Sequence, residues 1–178
     1  MYRVPLANEL LSQGDIFHGK FAFSYIEEPG AAIQIVRNDQ VISSAGIEDA
    51  WQDGSSEVIL SVALVSNFAI ILTQSCDAEN AQKAPLDFVA VGAVRPFTEM
   101  PLGNQGNCRH NKLVRYHYLP ADAAVGLPES FVHFGILALV AQQSLAAFKA
   151  ARLLTLEPPF REDLGHRFGE FFSRVALP

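Results

Sequence analysis

The stretch whose residue types best suit chemistry is Leu72 to Asn80, LTQSCDAEN, where an apolar run passes straight into a polar segment carrying a thiol and two carboxylates. A strand end is a rigid mount for such groups: it fixes Thr73 and Cys76 in place while the following loop exposes them. In a catalytic reading Cys76 is the nucleophile. The thiolate is the reactive form, so that role needs a cation or an imidazole nearby to lower the pKa. Arg109, His110, Lys112 and His117 are residues of the right type. Cys76, Asp77 and His110 are then the catalytic candidates, with His110 as base and Gln74 or backbone amides as donors to an oxyanion. Thr73, Gln74, Asn80 and Arg95 are the candidate binding residues.

Two other readings of the same residues stay open. Zinc accepts thiolate, imidazole and carboxylate in a tetrahedral shell, so Cys76 and Asp77 with Cys108 and His110 make a possible ligand set. The paired CxxC knuckles of structural zinc sites are absent from the sequence, Cys108-x-His110 being the only close spacing, and no metal or other cofactor is expected. In the plainest reading Cys76 is a small buried hydrophobe and Asp77 a turn former. Asp15 and Glu79 are possible acid/base carboxylates, although Asp15 follows Gly14 at a turn. His18, His117 and His133 fall in apolar, strand-like runs and His166 in the terminal helical pattern, so none is singled out. No P-loop, GxGxxG, HExxH or GxSxG motif occurs.

The elements that must position these groups are mostly strands. Residues 1–14 read as an opening segment with one helical turn at Ala7 to Leu11. From Ile16 to Ile26 the aromatics Phe17, Phe21, Phe23 and Tyr25 hold odd positions, the period of a half-buried strand. Ala32 to Val36 is a weaker strand, and Arg37 to Ser56 is a polar surface excursion whose Trp51 docks back on the body. Val58 to Leu72 is too long for one strand of about 3–10 residues and divides at Ser66-Asn67. Leu86 to Val94 is a central strand stopped by Arg95-Pro96, where proline withdraws its ladder donor. Residues 97–112 read as a Gly/Asn-rich loop, and Leu113 to Leu119 as a strand with two unlike faces. Phe131 to Val140 and Ala151 to Leu156 add strands, with an ambiguous Ala-rich linker between them. Phe160, Leu164, Phe168, Phe171, Phe172 and Val175 recur at helical spacing and predict an amphipathic C-terminal helix packed on the barrel.

At 178 residues the chain fits a single domain over 1–178. Its 49% hydrophobic and 18% charged content argues for a packed core rather than disorder. A net charge of -6 works against broad capture of phosphate backbones, so any nucleic-acid role needs a local patch. The opening residues lack a signal-peptide pattern, and the run Val58 to Thr73, broken by Ser61, Ser66 and Asn67, falls short of the ~18 apolar residues of a membrane span. The expectation is a cytoplasmic protein that does not enter the membrane. Cys76 and Cys108, 32 positions apart, read as reduced thiols.

Three stretches together resemble the bacterial growth-inhibitor toxins of the MazF/PemK type: Gly14-Asp15-Ile16 opening a strand, Phe68 to Leu72 (FAIIL) running into a polar loop, and Phe88 to Val94 (FVAVGAV). Leu127 to Phe134 and Leu153 to Leu164 follow in the order of that family's later strands and helix. The resemblance implies a mainly β fold, an SH3-like β-barrel with long loop insertions and a C-terminal amphipathic α-helix. It also implies sequence-specific ribonuclease activity, neutralisation by an antitoxin and a homodimer. The family's catalytic pair is an arginine just before the second core strand and a threonine or serine just after the next. Those places here hold Ser66-Asn67 and Val94-Arg95-Pro96, which do not supply the pair. The expected function is therefore a toxin-like interaction module with a protein or RNA partner; the alternatives are an enzyme using Cys76 and a residual endoribonuclease using Arg95. GDIF, LTQSCD and the terminal FFSRVALP are in addition similar to a recurrent bacterial protein type, from which no residue role is carried over.

Overall fold

Residues that are apolar at every position, as in Phe68 to Leu72 and Val89 to Val94, belong in strands covered on both faces, and the computed structural model places them there. It describes residues 1–24, 35–37, 40–42, 63–74, 88–141 and 149–175. The strands are β1 (Tyr2–Arg3), β2 (Asp15–Ser24), β3 (Ile35–Arg37), β4 (Gln40–Ile42), β5 (Ala63–Ile71), β6 (Phe88–Pro96), β7 (Tyr116–Leu119), β8 (Ser130–Ala141) and β9 (Arg152–Leu156); the helices are α1 (Leu102–Arg109) and α2 (Phe160–Val175). Seven strands form one antiparallel sheet in the order β1-β9-β2-β5-β6-β8-β7, while β3 and β4 pair only with each other.

The sheet curls into a half-barrel because its registers slip at defined points. Between Gly92↔Leu137 and Val94↔Val132, β6 advances two residues while β8 advances five, and this extra backbone turns a corner. His133 Nδ1 closes the corner by accepting the Gly135 N–H at 2.9 Å. Gly135 is needed there, since a Cβ would lie 2.9 Å from His133 Cε1. A smaller slip bends β2 between His18 and Phe21.

Alternation then sorts the core into two layers. Phe17, Ala69, Ile71, Val91 and Ala93 pack on one face of the sheet. Ile16, Ile70, Val94, Val132, Phe134 and Leu154 pack on the other, under Leu164, Phe168 and Phe171 of α2. α2 thus buries the stripe its spacing predicts, and the two prolines before it lie in the lead-in turn, where Phe160 N–H donates to the Glu157 carbonyl at 2.9 Å. Arg167 of α2 donates to the carbonyls of Asn111, Leu113 and Tyr116 at 2.5 to 2.9 Å, tying the helix to the approach to β7.

The N-terminal segment is held by one arginine. Arg152, 3% exposed, donates to Asp15 Oδ2 at 2.9 Å and to the carbonyls of Leu6, Glu9 and Leu10. Gly14 links this segment to β2 at φ +86°, a left-handed backbone that suits glycine, and a Cβ would press on Leu156 at 2.9 Å.

Three expectations need correction. β5 runs unbroken through Ser66 and Asn67 instead of dividing there, because the Ser66 hydroxyl, buried, donates to the Val94 carbonyl at 2.6 Å. Residues 97–112 are not a bare loop: a 3-10 turn, Phe97–Glu99, leads into α1, and Phe97, Met100 and Cys108 bury against Phe131. The stretch from Arg37 is not wholly an excursion, since Gln40–Ile42 forms a hairpin with Ile35–Arg37. Trp51 and most of the Ala-rich linker lie outside the described residues.

Candidate functional site

β5 and β6 pair from Ile71↔Val91 to Phe68↔Val94 and then part. β5 stays with β2, pairing Ser66 with Phe21, whereas β6 stays with β8 through Arg95↔Phe131 and Pro96↔Ser130. The local chemistry explains the separation. Pro96 has no N–H to offer a continuing ladder, and the Ser66 hydroxyl occupies the Val94 carbonyl that faces it. A cleft of about 170 Å³ opens between the strands, lined chiefly by Ser66, Asn67, Phe68, Arg95, Pro96 and Glu99, with Pro128 and Ser130 also in its lining.

The charged group of the cleft is Arg95. Its Nε and Nη2 both lie 2.7 Å from Glu99 Oε2, an i,i+4 pair in which the arginine is 24% and the glutamate 43% exposed. The guanidinium carbon also stands 5.9 Å from the centre of the Phe131 ring. Glu99 therefore engages one side of the guanidinium, and Nη1 has no hydrogen-bond partner among the described residues. Asn67 is exposed beside it, its amide likewise without a partner among the described residues. Arginine donors and a carboxamide converging on a small cleft suit the recognition of an oxygen-bearing group.

Behind Arg95 the cross-strand neighbours form an aromatic row. Tyr116 meets Phe131 and His133 edge to face, with ring centres 5.4 and 5.0 Å apart. Burial first, and the positive charge of Arg95 and Arg115, hold the His133 pKa below the usual histidine value. The ring is neutral at pH 7, and because Nδ1 accepts from Gly135 the proton sits on Nε2.

Beyond the row, Arg109 lies 4.4 Å over the Phe97 ring and grips Glu129 through two hydrogen bonds of 2.7 and 3.1 Å, while Tyr118 donates to Glu129 at 2.8 Å. These contacts fasten α1 to the sheet and hold the Glu129 carboxyl below its ordinary pKa, Arg109 being the main cause.

The residues singled out from sequence are spread over the molecule. Cys76, Asp77, Glu79 and Asn80 lie outside the described residues. The Thr73 hydroxyl accepts the Ala90 N–H at 2.8 Å and so extends the β5–β6 ladder past its last residue pair. Gln74 is exposed just beyond it. His110 is exposed at the end of α1, whereas Cys108 is 1% exposed and points into the core; positions two apart on a helix face different ways. Burial pushes the Cys108 thiol up to about 11, opposite to what a nucleophile or ligand needs. No group of three or more His, Cys, Asp or Glu among the described residues is arranged to hold a metal ion. Of the candidates among the described residues, Arg95 alone lines the cleft. Asn67 and Glu99 were not singled out from sequence; the signals were an Arg-Pro strand stop and an i,i+4 Arg/Glu spacing that places both charges on one turn.

Fold and site together define a mainly β chain: a curled antiparallel half-barrel closed by a C-terminal helix, with a polar cleft where two of its central strands part. No protein-family model, no curated protein and no solved structure matches it. No helix among the described residues is long and apolar enough to cross a membrane.

Proposed function

We propose that this chain is a toxin-like, SH3-like barrel that works as an interaction module, binding a partner protein through the cleft between β5 and β6. The observation that carries the reading is the composition of that cleft. The two stretches at which the toxin resemblance looks for its catalytic pair, Ser66-Asn67 and Arg95-Pro96, line it together, and its arginine is already matched by Glu99. A phosphate backbone would meet the Glu99 carboxylate at the mouth and a chain of net charge -6 around it. A peptide, which carries donors and acceptors alike, finds both in Arg95, Asn67 and Glu99.

The test is co-purification from the host with a tagged chain. A stoichiometric protein partner held by the wild type and by Leu139→Asp, a change at an exposed β8 position outside the cleft, but lost on Asn67→Glu, supports the reading; monodisperse chain with no partner sinks it. A second reading, an endoribonuclease using Arg95, is favoured by the neutral His133 imidazole, which feels the charge of that guanidinium and is of the right type for acid/base work. RNA cleaved by the wild type and spared by both Arg95→Ala and His133→Ala would install it in place of the first.

A further inference from the structure

We infer that Glu99 is a built-in stand-in for the ligand, and that the group the cleft receives is a carboxylate of the partner, which displaces Glu99 from Arg95. This rests on reading the cleft as a partner-binding site. The argument begins with Arg95. Its side chain is only 24% exposed and its guanidinium stands over the Phe131 ring, so it is held in one place rather than sweeping solvent. Glu99 is the more exposed partner at 43% and stands on a 3-10 turn at the rim, so it can swing away while Arg95 stays.

The contact is also incomplete. A carboxylate facing a guanidinium squarely uses both oxygens in two parallel hydrogen bonds, but here one oxygen, Oε2, takes both Nε and Nη2 at 2.7 Å. Nη1 and the Asn67 amide are left as donors with no acceptor among the described residues. An incoming carboxylate that replaces Glu99 can take two guanidinium donors squarely and reach Asn67 with the same group. Arg115 adds positive charge near this corner, as its effect on His133 shows, which offsets locally the negative charge of the chain. Once free, Glu99 returns to water, where a carboxylate is stable without a partner.

The exchange is easy because exposed i,i+4 ion pairs are weak; by the usual strength of such pairs, Glu99 reduces the affinity of an outside carboxylate about two- to five-fold. The probe is sodium acetate, titrated at constant ionic strength into the full chain while the Arg95 Nε–Hε signal is followed by NMR; Arg95→Lys identifies that signal by its loss. Glu99→Gln should bind acetate about two- to five-fold more tightly than the wild type, Glu99→Gln with Asn67→Ala should give back part of the gain, and acetamide should shift nothing. N-acetylalanine and the N-methylamide of N-acetylglutamate then separate a chain-terminal from a side-chain carboxylate, and saturable binding of either supports the inference. Equal acetate affinity in wild type and Glu99→Gln overturns it, as does tighter binding of inorganic phosphate than of acetate. The two readings fail separately. A partner lost on Asn67→Glu, with acetate indifferent to Glu99, leaves the interaction module and removes the stand-in. A carboxylate site unmasked by Glu99→Gln, with no partner recovered, leaves the site and removes the module.

Discussion

Acid should loosen the grip of α2 on the sheet through a single imidazole. His117 on β7 is 1% exposed, neither ring nitrogen has a hydrogen-bond partner among the described residues, and burial, followed by the positive charge of Arg167, pushes its pKa down to about 3. Asp163 of α2 is the nearest acid, its Oδ2 3.6 Å from Nδ1, but it is half exposed, so water screens it and burial prevails. The sign follows by linkage. With a folded pKa below the unfolded ~6.5, the unfolded chain binds the extra proton, so stability is whole above pH 6.5 and falls as pH drops toward 3. At pH 5 the loss is about 2 kcal/mol from this group alone, at roughly 1.4 kcal/mol per unit. Urea unfolding at pH 8 and pH 5 measures it, with His117→Phe as comparison. The Phe variant can differ at pH 8 through packing, so the decisive quantity is the change between the two pH values. His133 titrates in the same direction in both proteins and cancels. The carboxylates held low, Glu9 at about 2 and Glu129, lose their contributions mainly below pH 4.5, outside the window. The wild type should lose about 2 kcal/mol more than His117→Phe; equal losses would refute the assignment of His117 as the acid-sensitive contact.

Two further outcomes follow from buried groups. Arg152→Met leaves the Asp15 carboxylate, 1% exposed, without its cation and should cost about 3–5 kcal/mol in urea unfolding. Adding Asp15→Asn should recover part of that, and no recovery would show that the arginine acts only through the backbone carbonyls of the N-terminal segment. In Cys76→Ser, which keeps one thiol, Cys108 should react with iodoacetamide at pH 8 about 100-fold more slowly in native than in urea-unfolded protein, because its pKa of about 11 leaves little thiolate. A native rate within about ten-fold of the unfolded one would place that thiol outside the core.

What could be read from sequence is what a one-sided stripe encodes. Leu164, Phe168 and Phe171 bury as their spacing requires, and the alternation of His117 and Leu119 against Tyr116 and Tyr118 separates buried from half-buried residues. α1 was not legible, because LGNQGNCR has two glycines and two asparagines, poor helix formers. It stands on tertiary contacts: Phe97, Met100 and Cys108 in a small core, and Arg109 clamped between Phe97 and Glu129. Ser66-Asn67 looks like a break for the same reason that it lines the cleft. A polar pair inside an apolar strand is tolerated only where a carbonyl from elsewhere accepts the hydroxyl, and the Val94 carbonyl, 28 positions away, is invisible to any local pattern. The cleft is a product of the same long-range pairing, so its residues carry weaker local signals than the thiol and carboxylates of the segment at Cys76.

The contrast between sheet edges gives the cleft its meaning. At β7 the outer edge is sealed: Asn111 Oδ1 accepts the Tyr118 N–H at 2.9 Å, with Asn111 held at φ +52°, and Arg167 covers the Tyr116 carbonyl. Edge strands left open invite pairing with other chains, and natural sheets cover them. Between β5 and β6 the opposite devices operate inside the sheet: a proline withholds a donor, a serine hydroxyl takes up the last carbonyl, and the strands go to different neighbours. The wedge left behind sets Arg95, Asn67 and Glu99 beside the apolar Phe68, Pro96 and Pro128. A fold that caps this edge and fills its core, yet leaves polar donors in a central gap, fits the proposal that the gap takes a ligand, with the Glu99 carboxylate as the guide to the chemistry proposed for it.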